Sequence, residues 1–234
     1  MLCFLKERAT QLQELADAPD CNQATLYNTY TQFKTLNLLF SHWRSVYELY
    51  IRPLLEKENR TLTLLDIGCG GGDITLTIAK WVAQDNLSLE ITAIDTDIRA
   101  ITFVNNLSNP HNVKFQNVST KELLAQNRSF DLVISNHFMH HLNSNELQEI
   151  LTEVEHLANK MVIFNDIERS DNQYFGFATL GFFLKPFFSN SFIWEDGLRS
   201  IRRSYTCSEL MAIADNNWQV KRLFFFRLLL IYSP

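Results

Sequence analysis

The chain has 234 residues, 46% of them apolar and 20% charged, with a formal net charge of −5. That length suits one α/β domain with an added element, and the acidic balance disfavours RNA or DNA, which is gripped through its phosphates. The four cysteines (Cys3, Cys21, Cys69, Cys207) form no C-x-x-C pair, and neither a signal-like N-terminus nor an apolar run of membrane-spanning length is present; the expectation is a cytoplasmic protein with free thiols and no membrane span.

Residues 1–60 read as a helical N-terminal cap. Pro19 and Asp20 divide a short first helix from a longer region that starts near Ala24. Its apolar stripe (Leu36, Leu38, Leu39, Phe40, Trp43, Val46, Tyr47, Tyr50, Ile51) carries aromatic weight, and Pro53 marks a break or kink. The segment either packs on the core or lines a substrate site.

The stretch from Thr61 to Lys80, TLTLLDIGCGGGDITLTIAK, is a strand, a bend and a helix. Its apolar run stops in glycine: Gly68, Gly70, Gly71 and Gly72 are four of only seven in the protein. Apolar residues then return at helical spacing (Ile74, Ile78, Ala79, Val82). Such a unit lets a ligand approach the backbone closely beside helix N–H groups. A dinucleotide fingerprint needs Gly or Ala where this chain has Asp73, and a phosphate loop needs a lysine that does not occur before Lys80. Asp66 and Asp73 flank the bend, so the site suits a cation.

Residues Leu89–Asp95 read as a second buried strand tipped by an acid, where α/β nucleotide sites hold ribose hydroxyls. Asp97 suits the N-cap of the next helix. Residues 113–118 form a third strand followed by Ser119. The fourth, Asp131 to Ser135, ends at Asn136 in the sequence FDLVISNHFMHHL. His137, His140 and His141 follow, but Phe138 stands where the glutamate of H-E-x-x-H would be, and no third ligand is in register; the expectation is no metal. His140 or His141 is a candidate general base, with packing or capping at the strand–helix junction as the alternative.

A helix over 143–157 and a fifth strand over 160–167 complete this run. Short connections then fail. Residues 168–205 form an insertion dense in phenylalanine, on the ligand side of an open α/β sheet. Phe182 and Phe183 are its candidate acceptor contacts and Arg202 a candidate for orienting a polar group, with a homodimer surface as the rival use of the aromatic segment. Residues 218–222 and 226–232 read as the two closing strands; Arg227 is the one charge between Leu223 and Tyr232.

Asp66, Gly68, Gly70 and Gly72, in the pattern D-x-G-x-G-x-G, resemble motif I of the class I S-adenosylmethionine-dependent methyltransferases. Asn136 and the residues after it resemble the family's motif IV. The resemblance implies a doubly wound, seven-stranded, mostly parallel sheet over residues 61–234. It also implies S-adenosylmethionine as cofactor. Asp66 and the glycines would hold the methionine end, Asp95 and Thr96 the ribose, Asn117 or Ser119 the adenine in place of the family's usual acid, and Asn136 the edge where methyl and acceptor meet. Asn165, Asp166, Arg169 and the tail from Glu195-Asp196-Gly197 look like the small-molecule methyltransferases that accompany type III polyketide synthases, which tend to have His-Asp-Gly at that point. Transfer to a small apolar or aromatic acceptor, at a phenolic, pyrone or quinone-like oxygen, is then the expected function. The alternatives are a protein or RNA methyltransferase and a non-catalytic cofactor-binding dimerisation scaffold.

Overall fold

A computed structural model describes residues 4–234; Cys3 lies outside the described residues. Six strands alternate with helices and a seventh follows the sixth directly: β1 (Leu62–Ile67), β2 (Leu89–Ile94), β3 (Val113–Gln116), β4 (Phe130–Asn136), β5 (Ala158–Ile167), β6 (Trp218–Leu223) and β7 (Arg227–Tyr232). Their spatial order is β3-β2-β1-β4-β5-β7-β6. All neighbours run parallel except β7, which lies antiparallel to both β5 and β6. This is a Rossmann-like sheet closed by a reversed hairpin, as the sequence implies, and the order reverses between β1 and β4, where such sheets open a ligand crevice.

The period-2 alternation of strands buried on both sides builds the two cores. Leu62, Leu64, Leu132, Ile134 and Ile163 face one helical layer through Trp43, Tyr47, Ile51 and Ile78. Leu65, Val133, Val162, Phe164 and Leu230 face the other through Leu147, Leu151, Val154 and Leu210. The layers are α1 (Gln23–Phe40), α2 (Trp43–Val46), α3 (Arg52–Lys57), α4 (Asp73–Gln84), α5 (Ile98–Asn105), α6 (Thr120–Ala125), α7 (Ser144–Leu157), α8 (Asp171–Leu184), α9 (Ile193–Arg203) and α10 (Cys207–Ile213). Between α2 and α3 a π-turn, Tyr47–Ile51, leads into Pro53. Proline donates no N–H, so the ladder loosens there. No helix among the described residues is long and apolar enough to cross a membrane.

The N-terminus departs from the sequence reading. Residues 4–22 contain turns but no helix; the cap's helices begin at Gln23. This segment is a strap held by side chains from far along the chain. Asp196 accepts hydrogen bonds from the amides of Leu15 and Ala16 at 2.6 and 2.9 Å. Arg203 donates to Leu12 O, Arg199 to Gln13 O, and Arg99 to Ala16 O and Ala18 O. A strap of this kind has no local periodicity, which is why the composition around Pro19 was misleading.

The insertion consists of α8, a 3-10 turn at Lys185–Phe188, and α9. α8 and α9 approach closely: a Cβ on Gly181 would sit 1.2 Å from the Trp194 ring, and Phe177 stacks on Trp194 with centroids 4.7 Å apart.

Candidate active site

The carboxyl ends of β1, β2 and β4 open into one cavity of about 1400 Å³, roofed by the strap, α1, α8 and α9. Sites for a single drug-sized ligand run to roughly 1,000 Å³. This one has room for two molecules side by side.

Its cofactor end is the bend after β1. Gly68, Gly70 and Gly72 adopt φ of +67°, +49° and +72°, the left-handed region where side chains are strained. A Cβ on Gly68 would also press on Phe138, whereas at Gly70 it would meet nothing, so the backbone there stands open to the cavity. The bend is tied to β2: the amides of Gly68 and Cys69 donate to Ile94 O, and that of Gly70 to Asp95 Oδ2 at 2.9 Å. Asp95 Oδ1 accepts from the Asp97 amide, and Asp97 caps α5.

Three carboxylates line this end, and all three are held away from their ordinary protonation. Asp66, 2% exposed, has its carboxyl raised to about 7. Burial is the main cause; a hydrogen bond from Thr75 opposes it and the charges of Asp73 and Asp95 add to it. Burial likewise raises Asp73 against a hydrogen bond from Asn37, and Asp95 against its backbone donors. Among the described residues none of the three forms an ion pair within 4 Å. A buried carboxylate without a cation is costly, so this end of the cavity is complementary to a positively charged ligand.

The structure brings Asp66, Gly68, Gly70, Asp95, Thr96, Ser119 and Asn136 together on the cavity wall, with Gly72 as the N-cap of α4. It does not bring Asn117. That side chain is exposed, donates to Asp95 O at 2.8 Å and lies outside the lining, so it braces the β2 tip and leaves Val118 and Ser119 to face the ligand. Ser119 also caps α6 in a reciprocal box with Glu122.

The reaction edge at Asn136 rests on a buried polar network that sequence reading missed. Asn136 Oδ1 accepts from Trp43 Nε1 and from Arg227 Nη2, both at 2.9 Å. Arg227, 4% exposed, donates further to Asn165 and, through Nη1, to His137 Nε2 at 2.9 Å. Burial pulls its guanidinium down to about 10, with Asp166 opposing, so it remains a cation. Burial and the Arg227 charge hold His137 well below the usual imidazole range, against the pull of Asp166.

His140 differs from the free imidazole expected of a general base. Its Nδ1 lies 2.8 Å from Asp166 Oδ1 and its Nε2 3.2 Å from Glu14 Oε1, on the strap. Burial works against its charge, yet the two carboxylates prevail and hold it at about 10. Asp166 is correspondingly held below the ordinary carboxylate range by His140, and Glu14 is lowered to about 2. An imidazolium in this position has no lone pair with which to take a proton; ligand atoms of Glu14, His140 and His141, and of His137, His140 and Asp166, lie within 4.8 Å of one another, so the fold gathers third partners that the sequence spacing did not show. His141 lines the cavity and pairs with Asp17 at 3.1 Å.

The acceptor end is aromatic, but not through the residues expected. Phe182 and Phe183 are 81% and 68% exposed on the outer face of α8. The inner face presents Gln173, Gly176, Phe177, Leu180 and Leu184, at the three- and four-residue spacing of one helix side, joined by Trp194 and by Phe33 and Phe40 of α1. Arg202 is outside the lining as well; its carbonyl accepts from Ala9, and its neighbour Arg203 ties the strap to the His140 and His141 carbonyls.

Residues 64–160 match the family model described as a methyltransferase domain. A ribosomal protein L11 methyltransferase of Campylobacter fetus is 32% identical over 72 residues, 31% of this chain and 24% of that protein. A ubiquinone biosynthesis O-methyltransferase of Rickettsia akari is 33% identical over 132 residues, 54% of this chain and 50% of that protein. The chain thus spans half or less of the length of these curated relatives. Among solved structures, the plantazolicin methyltransferase BpumL, in complex with a triazolic desmethylPZN analog and SAH, superposes with a TM-score of 0.62 at 15% identity, covering 89% of this chain and 94% of that one. The magnesium protoporphyrin IX methyltransferase of Synechocystis PCC 6803 with bound SAH gives 0.52 at 15% identity, covering 82% and 84%. These likenesses agree with the sheet order in showing the fold of class I methyltransferases.

Proposed function

We propose that this chain is an S-adenosylmethionine-dependent methyltransferase acting on a small, apolar or aromatic molecule, at a phenolic, pyrone or quinone-like oxygen. One observation carries the reading: a buried carboxylate, Asp66, and two half-buried ones, Asp73 and Asp95, none with an ion pair within 4 Å among the described residues, flank a glycine bend in a cavity that continues into an aromatic chamber. S-adenosylmethionine is cationic at both its sulfonium and its ammonium, and it fits that charge pattern where a pyrophosphate would be repelled. The family match over residues 64–160 and the presence of SAH in the BpumL complex support the same ligand.

Bound there, the cofactor supplies a methyl group already activated for displacement. The chain's residues align and enclose. Asp66 and the open backbone at Gly70 would hold the methionine end, Asp95 the ribose hydroxyls, and Ile98 and Val118 the adenine. Phe177, Leu180 and Trp194 position the acceptor and exclude water, which accounts for most of what a protein contributes to such a transfer. The chamber and the net charge of −5 speak against a nucleic-acid acceptor, which needs an open basic groove.

Calorimetric titration with S-adenosylmethionine, SAH and a nicotinamide dinucleotide tests the ligand. A radiolabelled methyl-transfer screen over phenols, pyrones, quinones and fatty acids tests the acceptor. Binding of the dinucleotide in preference to SAH would end the reading.

A further inference from the structure

The donors at the tip of β4 define what kind of oxygen the site accepts. Trp43 Nε1 and the Arg227 guanidinium can only donate, and both contact Asn136 Oδ1. That fixes the Asn136 amide with its oxygen inward, a choice hydrogen-bond chemistry makes unambiguous. Its Nδ2 has no protein partner among the described residues, and Asn136 lines the cavity. Arg227 lines it too. Its partners are all neutral (Asn136, His137, Asn165), so among the described residues it forms no ion pair within 4 Å, and one Nη1 hydrogen is left without an acceptor. Asp166, the carboxylate nearest in effect, is committed to His140. A buried cation beside an unpaired donor, with no anion of the protein's own, is a receptor for an anionic oxygen.

The imidazoles around the cavity are engaged among the described residues, His141 through its Nδ1 with Asp17 at 3.1 Å. His137 Nε2 is occupied by the Arg227 N–H, and both nitrogens of His140 face carboxylates. Resting on the methyltransferase reading above, we propose that the acceptor is an acidic O–H compound bound as its oxyanion, a carbonyl-conjugated phenol, an enolic pyrone or a carboxylic acid, with Arg227 and Asn136 as its recognition pair. The proton is lost to solvent before binding. The oxyanion's lone pair forms the new O–C bond as the C–S bond breaks and its electron pair stays with sulfur. The negative oxygen and positive sulfur both become neutral, and no proton passes through the protein.

The test uses 4-nitrophenol, whose ionised form is coloured, bound to the full chain saturated with SAH so that Asp66 and its neighbours do not titrate with the probe. Asp166 on β5 is the charge acting on Arg227, and His137, its imidazole partner, is acted on in turn by Asp166, His140 and Glu14, with His141 packed against His140 and paired with Asp17. Asp166 and Glu14 are held low and His140 high, so none of these three changes charge between pH 6 and 8. The bound probe should titrate at least one unit below the free one. Arg227→Gln should abolish that shift and weaken binding of the anion about tenfold or more, with SAH affinity unchanged. Asn136→Asp, which supplies Arg227 with an anion and keeps the shape, should do the same if Arg227→Gln does not fold. Salicylate and a 4-hydroxy-2-pyrone should compete with the probe.

A probe bound only as the neutral phenol, failure of all three anions to bind the SAH complex, or loss of SAH affinity in Arg227→Gln would overturn the proposal. The last result would assign the guanidinium to the cofactor's carboxylate. Failure of SAH itself to bind wild type is a separate outcome that removes the methyltransferase reading and this proposal with it.

Discussion

Asp66→Asn separates what the cavity needs for folding from what it needs for binding. The carboxyl rises from 3.8 to about 7 in the folded chain, which corresponds to at most about 4 kcal/mol of penalty on its ionised form. Solvent screening at the open side of the cavity reduces that figure, and about 2 kcal/mol is the expected effect. A carboxyl raised on folding contributes stability that is complete below the unfolded value and is lost as pH climbs through the folded one. The ligand-free protein should therefore be strained by Asp66 at pH 8 and not at pH 4. Asparagine has the same shape and still accepts the Thr75 hydrogen bond. Asp66→Asn is expected to raise Tm by about 4–8 °C at pH 8 for a chain of this size, with the difference shrinking toward zero at pH 4. It should also weaken S-adenosylmethionine binding by tenfold or more. Differential scanning fluorimetry at the two pH values and calorimetry on the same preparations give both numbers. A variant that melts below wild type at pH 8, or that binds the cofactor unchanged, would refute the claim that a desolvated carboxylate waits there for a cation.

Other expectations follow from the same geometry. His140→Gln strips two buried carboxylates of their partner and should cost about 3–5 kcal/mol near neutrality; in wild type the His140 contribution persists below its unfolded value and fades as pH rises through about 10, while that of Glu14 is present above its unfolded value and fades as pH falls through about 2, which urea titrations across pH would trace. Phe177→Ala should raise the acceptor KM about tenfold and leave cofactor affinity alone, whereas Phe182→Ser with Phe183→Ser should leave acceptor kinetics unchanged, because those rings stand outside the chamber. Asp196→Ala leaves the amides of Leu15 and Ala16 without their acceptor, a loss of about 2–4 kcal/mol for the pair. Limited trypsinolysis should then cut at Arg8, within the strap, faster than in wild type.

What the sequence discloses is what short range decides. The β1 bend is legible because strand, glycines and helix are contiguous and the pattern leaves the backbone few choices; Asp97 as a helix cap is legible for the same reason. Phe182 and Phe183 are misread because α8 is apolar on every side, and periodicity then carries no information about which face turns inward. The glycines at 176 and 181 are the better signal: Gly181 marks where α9 comes closest. His140 looks like a base only while Glu14 is out of view, 126 positions upstream. Arg227 had a signal, a lone charge in an otherwise apolar strand, and such a residue is buried for a reason.

The strap gives the protein an awkward route to its native state. Leu15 and Asp196 are 181 positions apart, and Arg8 and Arg203 are 195 apart. The roof over the reaction edge is thus assembled from contacts among the most distant in the chain. Loop closure on that scale yields its reward last. A refolding chain should complete its sheet first and pass through a species whose chamber is still uncovered and wet, able to grip a nucleoside before it can shelter a transfer.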